Sequence, residues 1–455
     1  MDKKAQLSAS IVAGLAAFLA PFMGASVNIA LPSIGREFQA DAVMLGWVAT
    51  AYILAAAVFL VPFGKLADIH GRKRIFLAGI LVYTAASVLC ALAASTWALI
   101  GFRILQGLGA ALIFGTSVAI LTSVFPPGQR GKALGLNTAS TYLGLSLGPV
   151  LGGLLTQQFG WRSIFVINFP LGIIIIVFVL TMLKGEWAEA KGERFDLFGA
   201  AFYGCTLVAV MLGFSRLPQK TGFLLFAAGI TLAAGFVLRE TKAGSPLLKI
   251  ELFRENRVFA FSNLAALINY SATFAVGFFV SLYLQYLKGM SPRSAGLILI
   301  AQPIVMTVFS PFAGRFSDKI EPRIVASIGM AVSSLGLLLL AFLRADTALI
   351  FVLVSLAVLG FGFALFSSPN TNAVMSSVEK KFFGVASATL GTMRLVGQTL
   401  SMGIAMLIFR ALVGRIQITA ANQGNFLQAV RMGFIIFAAL CFAGVFASLA
   451  RGNRR

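Results

Sequence analysis

Runs of about 20 consecutive, mostly apolar residues recur along almost the whole chain, separated by short stretches that carry charge, glycine or proline. A helix rises about 1.5 Å per residue, so each run is long enough to cross the ~30 Å apolar core of a bilayer. Only 11% of the residues are charged, against about 25% in soluble domains. Fourteen such runs can be distinguished, and they predict an all-α polytopic membrane protein with 14 transmembrane helices.

The distribution of basic residues predicts the orientation of these helices. If the N-terminus is cytoplasmic, most of the 36 lysines and arginines fall in tails and loops on the cytoplasmic side, as the positive-inside rule requires. We therefore expect a multi-pass protein of the inner (plasma) membrane with both termini in the cytoplasm. A twelve-span alternative, in which residues 197–238 form a peripheral hairpin, predicts the same orientation and stays open.

Composition argues against several other classes of function. The basic residues form no single stripe with interleaved aromatics, so we expect no nucleic-acid partner. The three cysteines lie inside apolar runs, where we expect small buried residues, and the only histidine, His70, lies in a charged loop; we expect no metal and no cofactor. All 15 acidic residues lie in loops, tails or span ends, which leaves no catalytic pair at depth, so we expect no enzyme. A Walker-type phosphate loop is missing from the sequence.

A short internal repeat predicts how the chain is divided into two halves. Residues 64–74 (GKLADIHGRKR) follow the second apolar run, and residues 314–323 (GRFSDKIEPR) follow the tenth. Duplicated halves around a central site are a recurring transporter design. We expect an N-terminal six-helix bundle over residues 1–183, two additional transmembrane helices with cytoplasmic linkers over 184–256, and a C-terminal six-helix bundle over 257–455.

Four stretches, in this order and spacing, carry a family resemblance. They are residues 64–74, 103–111 (RILQGLGAA), 144–153 (GLSLGPVLGG) and 161–170 (WRSIFVINFP). With them the chain resembles the fourteen-helix drug:proton antiporter branch of the major facilitator superfamily. The resemblance implies a major facilitator fold of two six-helix bundles plus two extra helices. It also implies a secondary active transporter that exports hydrophobic or amphipathic small molecules by alternating access, which we expect to act as a monomer.

Two of these stretches have expected conformational roles. The resemblance implies a latch that governs switching, formed by Gly64, Asp68, Gly71, Arg72 and Arg74; the alternative is that the basic residues only set orientation. Glycines at every fourth position share one helix face, which permits close packing, and a proline bends the helix. The resemblance associates this packing motif with exporters, although close packing alone explains the residues equally well. The motif comprises Gly144, Gly148, Pro149 and Gly152.

Polar side chains inside the apolar runs are the candidate substrate-binding residues. Two of them are arginines, and a charge at that depth normally faces a cavity or a partner. The alternative is that both arginines are satisfied by backbone carbonyls and neighbouring amides such as Gln398. The candidates are Asn28, Arg103, Gln106, Asn269, Tyr270, Gln285, Asn370 and Arg394.

One position departs from the resembled branch. That branch carries an aspartate nine residues before the proline of an Asn-x-Ala-Leu-Pro signature, and here the signature runs from Asn28 to Pro32 with Met23 at the aspartate position. A buried protonatable group is the usual means of coupling transport to protons. Two buried arginines without a buried acid favour an anionic or zwitterionic substrate. The alternative function is therefore a lipid or organic-anion transporter without carboxylate-based proton coupling.

Overall fold

The computed structural model describes residues 3–126, 130–242, 244, 246–248, 250–379, 383–414 and 416–452. Over these residues the chain is built from α-helices, with one π-helical turn at Tyr283–Leu287 and one 3₁₀ turn at Ala420–Asn422. The helices are α1 (Lys3–Phe38), α2 (Ala42–His70), α3 (Arg72–Ala91), α4 (Thr96–Val124), α5 (Arg130–Phe159), α6 (Ser163–Val166), α7 (Asn168–Thr181), α8 (Leu197–Arg216), α9 (Lys220–Glu240), α10 (Ile250–Glu255), α11 (Arg257–Thr273), α12 (Val276–Leu282), α13 (Pro292–Leu299), α14 (Ala301–Lys319), α15 (Pro322–Ala341), α16 (Leu349–Ser376), α17 (Phe383–Leu412) and α18 (Gln423–Leu449).

Thirteen stretches of described helix are long and apolar enough to cross a membrane. Three of them join consecutive helices into one span: α6 with α7, α11 with α12 and the π turn, and α13 with α14. The 30-residue helix α5, richer in glycine and polar residues, makes the fourteenth. This total agrees with the fourteen-span expectation, and α8 and α9 are each long enough to span.

Polar side chains fix where several helices begin. The Asp41 carboxylate accepts the backbone N–H of Met44 at 2.7 Å and caps α2. Ser95 caps α4 in the same way, and Asn256 caps α11. Such caps satisfy N–H groups that lack partners within the helix. Gly71, with φ of 113°, separates α2 from α3 in a conformation that favours glycine.

The helices pack in two groups, one formed by α1–α7 and one by α11–α18. Helices α8 and α9 pair with each other and attach to both groups through α8. The Tyr203 hydroxyl of α8 donates to the Ala57 carbonyl of α2 at 2.9 Å, and Arg410 of α17 donates to the Ser215 carbonyl at 2.6 Å. Cys205 of α8 is exposed, so our expectation of burial is wrong there, because this helix turns that face away from the bundle. The domain limits at residues 183 and 257 stay a prediction.

The glycine motif of α5 lies against α1. A Cβ on Gly144 would lie 2.5 Å from the Phe18 carbonyl oxygen, and one on Gly148 would lie 2.6 Å from Ala25 Cβ. The Ser26 hydroxyl, also on α1, donates to the Gly148 carbonyl at 2.9 Å. These positions admit no larger side chain because the two backbones are nearly in contact. The motif therefore joins α1 and α5 into one closely packed pair.

The two helix groups meet at the end of the bundle opposite the chain termini. The Ser281 hydroxyl donates to the Asn28 carbonyl at 2.6 Å, and the Gln285 amide donates to the Ile29 carbonyl at 2.9 Å. A Cβ on Gly153 would lie 2.5 Å from the Pro292 carbonyl oxygen. These contacts close the two groups against each other at that end.

Substitution of Gly144 tests the contact between α1 and α5. We expect Gly144→Ala to lower the melting temperature in detergent, because the new methyl group is forced against backbone and overpacking costs about 1–3 kcal/mol. The matched control is Gly135→Ala on the same helix, where no atom lies within 4 Å of the added Cβ. That control should melt at or above the wild-type temperature. Equal melting temperatures for the two variants would contradict the packing argument.

Candidate functional site

A polar cluster lies between the two helix groups, near the middle of the bundle. The Tyr142 hydroxyl on α5 lies 3.4 Å from the Ser367 hydroxyl on α16. Tyr270 on α11 interacts with Ser367 through its hydroxyl. The Arg394 guanidinium on α17 lies 5.5 Å from the centre of the Tyr270 ring. We call these four residues the central cluster.

The central cluster combines features that suit an amphipathic ligand. Its four side chains are all partly exposed, so none is sealed inside a helix group. Tyr270 also packs edge-on against Phe363 at 5.5 Å, which adds an apolar wall. Aromatic faces can stack on a flat ligand, while the hydroxyls and the guanidinium fix its polar end.

Arg394 supplies the charge of the central cluster. Within the part of the chain that the structure describes, no carboxylate lies within 4 Å of its guanidinium. Its one described interaction is with the electron-rich face of Tyr270, which attracts a cation without neutralising it. The cluster is therefore positively charged and open to an anionic group.

Arg103 and Gln106 have a different environment, inside the first helix group. Arg103 is only 1% exposed. It donates to the Val48 carbonyl at 3.1 Å and to Gln106 Oε1 at 2.6 Å, and its guanidinium stacks 4.3 Å from the centre of the Tyr52 ring. Gln106 in turn donates to the Ser87 hydroxyl. This agrees with the alternative in which backbone and neighbouring amides satisfy the arginine, and in this conformation neither side chain reaches the central cluster.

The other four candidates divide between two locations. Asn28, through its backbone carbonyl, and Gln285, through its side chain, belong to the closed end of the bundle. Asn269 is buried in the second helix group, with its amide 3.9 Å from the Cys441 sulfur. Asn370 lies three residues beyond Ser367 and is buried. Its side-chain amide oxygen has no hydrogen-bond partner among the described residues. Tyr270 and Arg394 are therefore the two predicted candidates that meet in the central cluster.

Ser367 was not predicted from the sequence, and Tyr142, a polar side chain inside an apolar run, was a candidate for lining the cavity but was not selected as a substrate-binding residue. A signal for Ser367 is present in the sequence, since residues 367–370 (SSPN) interrupt an otherwise apolar run. Tyr142 lies two residues before the glycine motif of α5, on the part of that helix that turns toward the second group. Neither signal by itself tells which face of the helix the side chain occupies.

Met23 is completely buried in the first helix group. It is 0% exposed, and the Asn168 amide, also buried, donates to its sulfur at 2.9 Å. A thioether is a weak hydrogen-bond acceptor, and the side-chain amide oxygen of Asn168 has no described partner. The position can accept a hydrogen bond, but it holds a group that cannot bind or release a proton.

The latch residues form an ion-pair network centred on Arg72. Its guanidinium lies 2.7 Å from Asp68 and 2.9 Å from Glu189, and it also donates to the Ser123 hydroxyl of α4. Asp68 therefore pairs within its own motif. Gly64 lies in the close contact between α2 and α4, where a Cβ on Gly115 would lie 3.2 Å from its nitrogen.

The segment that follows α7 covers the latch. We call residues 184–196 the acidic linker. Its Glu193 pairs with Lys65, and its Glu186 lies 3.6 Å from Arg74. Backbone bonds strengthen the contact: Arg72 N–H donates to the Trp187 carbonyl, and Ala190 N–H donates to the Asp68 carbonyl, both at 2.9 Å.

Neutralising the acidic linker should release it from the latch. We expect the triple variant Glu186→Gln, Glu189→Gln, Glu193→Gln to be cleaved by trypsin at Lys191 and Arg194 several-fold faster than wild type. Both cleavage sites are exposed, and cleavage rates follow the population of the open segment.

A matched control for this prediction removes two carboxylates elsewhere. Glu251→Gln with Glu255→Gln changes exposed acids of α10 that make no described ion pair. This double variant should be cleaved at the wild-type rate. If the triple variant were also cleaved at that rate, charge would not be what holds the linker in place.

Comparison with known proteins gives a consistent result. The family profile described as Major Facilitator Superfamily matches residues 13–262 and again residues 262–455. The riboflavin transporter RibZ of Clostridioides difficile is 29% identical over 96% of this chain and 95% of its own length. The multidrug resistance protein Stp of Mycobacterium tuberculosis is 32% identical over 88% of this chain and 75% of its own length. The tetracenomycin C resistance and export protein of Streptomyces glaucescens is 31% identical over 85% of this chain and 73% of its own length.

Solved structures agree on the fold. The crystal structure of a bacterial homologue of the human lysosomal transporter Spinster superposes with a TM-score of 0.72 at 17% identity, covering 99% of this chain and 98% of that one. The expected major facilitator fold and the resemblance to multidrug exporters are both confirmed. The chain belongs to the Major Facilitator Superfamily and is a multi-pass membrane protein, a secondary transporter of small molecules.

Proposed function

We propose that this protein exports hydrophobic or amphipathic small molecules by alternating access, using the central cluster as its binding site. The observation that carries the proposal is that Tyr142 of one half meets Tyr270, Ser367 and Arg394 of the other half at mid-bundle. A ligand held there touches both halves at once. We further propose that the protein acts as a monomer in the inner membrane, with both termini in the cytoplasm.

The central cluster would link binding to the change of conformation. The Tyr142–Ser367 contact is long for a hydrogen bond between hydroxyls, at 3.4 Å. A ligand that inserts there therefore disrupts only a weak interaction. It would contact both halves, and its binding would favour the conformation in which those contacts are best. In the described conformation the end opposite the termini is closed. The substrate would therefore enter from the side of the termini and leave from the other.

The binding site would also select substrates by charge. The unneutralised guanidinium of Arg394 favours an anionic or zwitterionic group, and the adjacent aromatic side chains favour a flat apolar body. The relative named as a riboflavin transporter supports an aromatic cargo for this chain. We infer that aromatic compounds with an acidic group are better substrates than their cationic counterparts.

A second candidate function rests on Met23. Because this buried position holds no carboxylate, the chain would transport organic anions or lipids without the proton coupling expected of the resembled branch. An anion carries its own charge across the membrane, so the membrane potential can drive its export. Arg394 is equally suited to that function, and proton measurements separate the two candidates.

Removal of the Arg394 charge tests the binding site. In proteoliposomes, we expect Arg394→Gln to reduce transport of an anionic aromatic dye about 10-fold or more, because a lost charge-assisted hydrogen bond is worth about 1.5–3 kcal/mol. Transport of its neutral ester should change little. The control is Arg216→Gln, which removes an exposed arginine at the end of α8. If wild type transports the matched cationic dye at least as well as the anionic one, the proposed selectivity is wrong.

Restoring the carboxylate tests the coupling. We expect wild type to move substrate without protons, and Met23→Asp to gain substrate-driven proton movement, recorded with a pH-sensitive dye inside liposomes. An aspartate at this position would accept the Asn168 amide more strongly than the thioether does. Met23→Asn is the control, since it is polar but does not titrate. Proton movement already present in wild type would show that another group carries the proton.

A further inference from the structure

Pro32 is a buried proline inside α1, a continuous helix of 36 residues. Proline has no backbone N–H, so it cannot bond to the carbonyl four residues earlier, and its ring crowds that carbonyl. Here the carbonyl is that of Asn28, the first residue of the Asn-x-Ala-Leu-Pro signature. A carbonyl without a partner is costly inside a membrane. The signature therefore leaves a backbone acceptor whose donor has to come from outside α1.

The donor comes from the second half of the molecule. The Ser281 hydroxyl donates to the Asn28 carbonyl at 2.6 Å. The Gln285 amide donates to the Ser281 hydroxyl at 3.1 Å and to the neighbouring Ile29 carbonyl at 2.9 Å. Because a hydroxyl has a single hydrogen, the Ser281 side chain accepts from Gln285 and donates to Asn28 at the same time. Ser281 is 0% exposed and Gln285 is 3% exposed, so these bonds are shielded from water.

The two donors are fixed to their own half. Ser281 and Gln285 are four residues apart and share one helix face, so they meet two consecutive carbonyls of α1. Gln285 lies in the π-helical turn Tyr283–Leu287, a type of turn that is frequent at functional sites. The Tyr283 hydroxyl of the same turn donates to the Arg344 carbonyl at 2.6 Å, between α15 and α16. When the second half moves, both donors therefore move with it.

The missing N–H of Pro32 gives the Asn28 carbonyl a partner that depends on conformation. In the closed arrangement the partner is Ser281, and water takes its place once the two halves separate and solvent enters. In a regular helix the N–H of residue 32 would occupy the carbonyl in both arrangements, and the bond from Ser281 would add less to closure. The proline removes this internal competitor.

We propose that Pro32 is a positioning residue for the distal gate, by which we mean Ser281 and Gln285 with the carbonyls of Asn28 and Ile29. By withholding its N–H, Pro32 reserves the Asn28 carbonyl for the other half and favours closure at the end opposite the chain termini. The inference rests on the alternating access proposed above, since it concerns the separation of the two halves at that end. It assigns Pro32 no contact with substrate.

A bend in α1 is the competing explanation for the proline. A bend acts through the path of the helix, whether or not Ser281 and Gln285 are present. A reserved carbonyl acts only through its donors. Removing the donors and the proline separately and together therefore distinguishes the two explanations, because residues that act through one contact are not additive.

The experiment measures the separation of the two halves in the purified full-length protein. Spin labels are attached at Ala94→Cys and Ala345→Cys, exposed loop positions on either half at the distal end, with the exposed Cys205 replaced by alanine. Double electron–electron resonance then reports the open and closed populations. We expect Pro32→Ala to raise the ratio of open to closed protein about fivefold, because one hydrogen bond across the gate loses most of its advantage.

Pro21→Ala is the matched control on the same helix. The carbonyl that Pro21 leaves free is that of Ala17, which accepts no hydrogen bond from the second half among the described residues. This variant should keep the wild-type populations. The double variant Ser281→Ala, Gln285→Leu should open the gate by itself, and adding Pro32→Ala to it should produce no further opening.

Two results overturn the proposal. One is a wild-type ratio of open to closed protein in Pro32→Ala, and the other is a further opening when Pro32→Ala is added to the variant without donors, which assigns the effect to the bend. Should Pro32→Ala not fold, Pro32→Ser also restores the N–H and is measured in the same way. Transport is not part of the readout. A protein that opens as expected but does not transport the anionic dye contradicts the binding-site proposal and supports the role of Pro32.

Discussion

The interior of a bilayer offers no water to a polar group, and this constraint determines what each charged residue of the chain can do. The backbone meets it by forming helices, which satisfy their own N–H and carbonyl groups. Side chains must find partners among one another. Arg103 does so completely, through Val48, Gln106 and Tyr52. Among the described residues, Arg394 does so only through the face of Tyr270, and this difference is why we propose a binding role for Arg394 and not for Arg103.

The same constraint explains the close contacts between helices. In lipid there is little hydrophobic gain from bringing two helices together, so association depends on close backbone approach and on interhelical hydrogen bonds. The contact of α5 with α1 has both, since Gly144 allows the approach and the Ser26 hydroxyl bonds to the Gly148 carbonyl. Farther along the same helix, the Pro149 carbonyl lies against Gly296 of the other half. One glycine-rich helix thus packs closely within its own half and also meets the other.

The fold was more predictable from the sequence than the site. The length of the apolar runs and the charge of the loops predict the membrane spans and their orientation. Neither feature depends on how the helices pack against one another. The depth of Arg103 and Arg394 was equally clear, but depth does not tell which way a side chain points around its helix, so Arg103 and Gln106 were grouped with residues that they do not meet. Glu186, Glu189 and Glu193 contact latch residues that are more than 100 positions away in the sequence. No local sequence pattern predicts such a contact.

The acidic linker has a consequence for the conditions in which this protein is studied. Its glutamates are partly exposed to solvent, so their attraction to the basic residues beneath them weakens as salt shortens the Debye length, which is about 30 Å at 0.01 M and about 8 Å at physiological ionic strength. The linker is also the covalent connection from the first half into α8, which touches both halves. We therefore expect the connection between the two halves to be stiffer in dilute buffer than at physiological ionic strength.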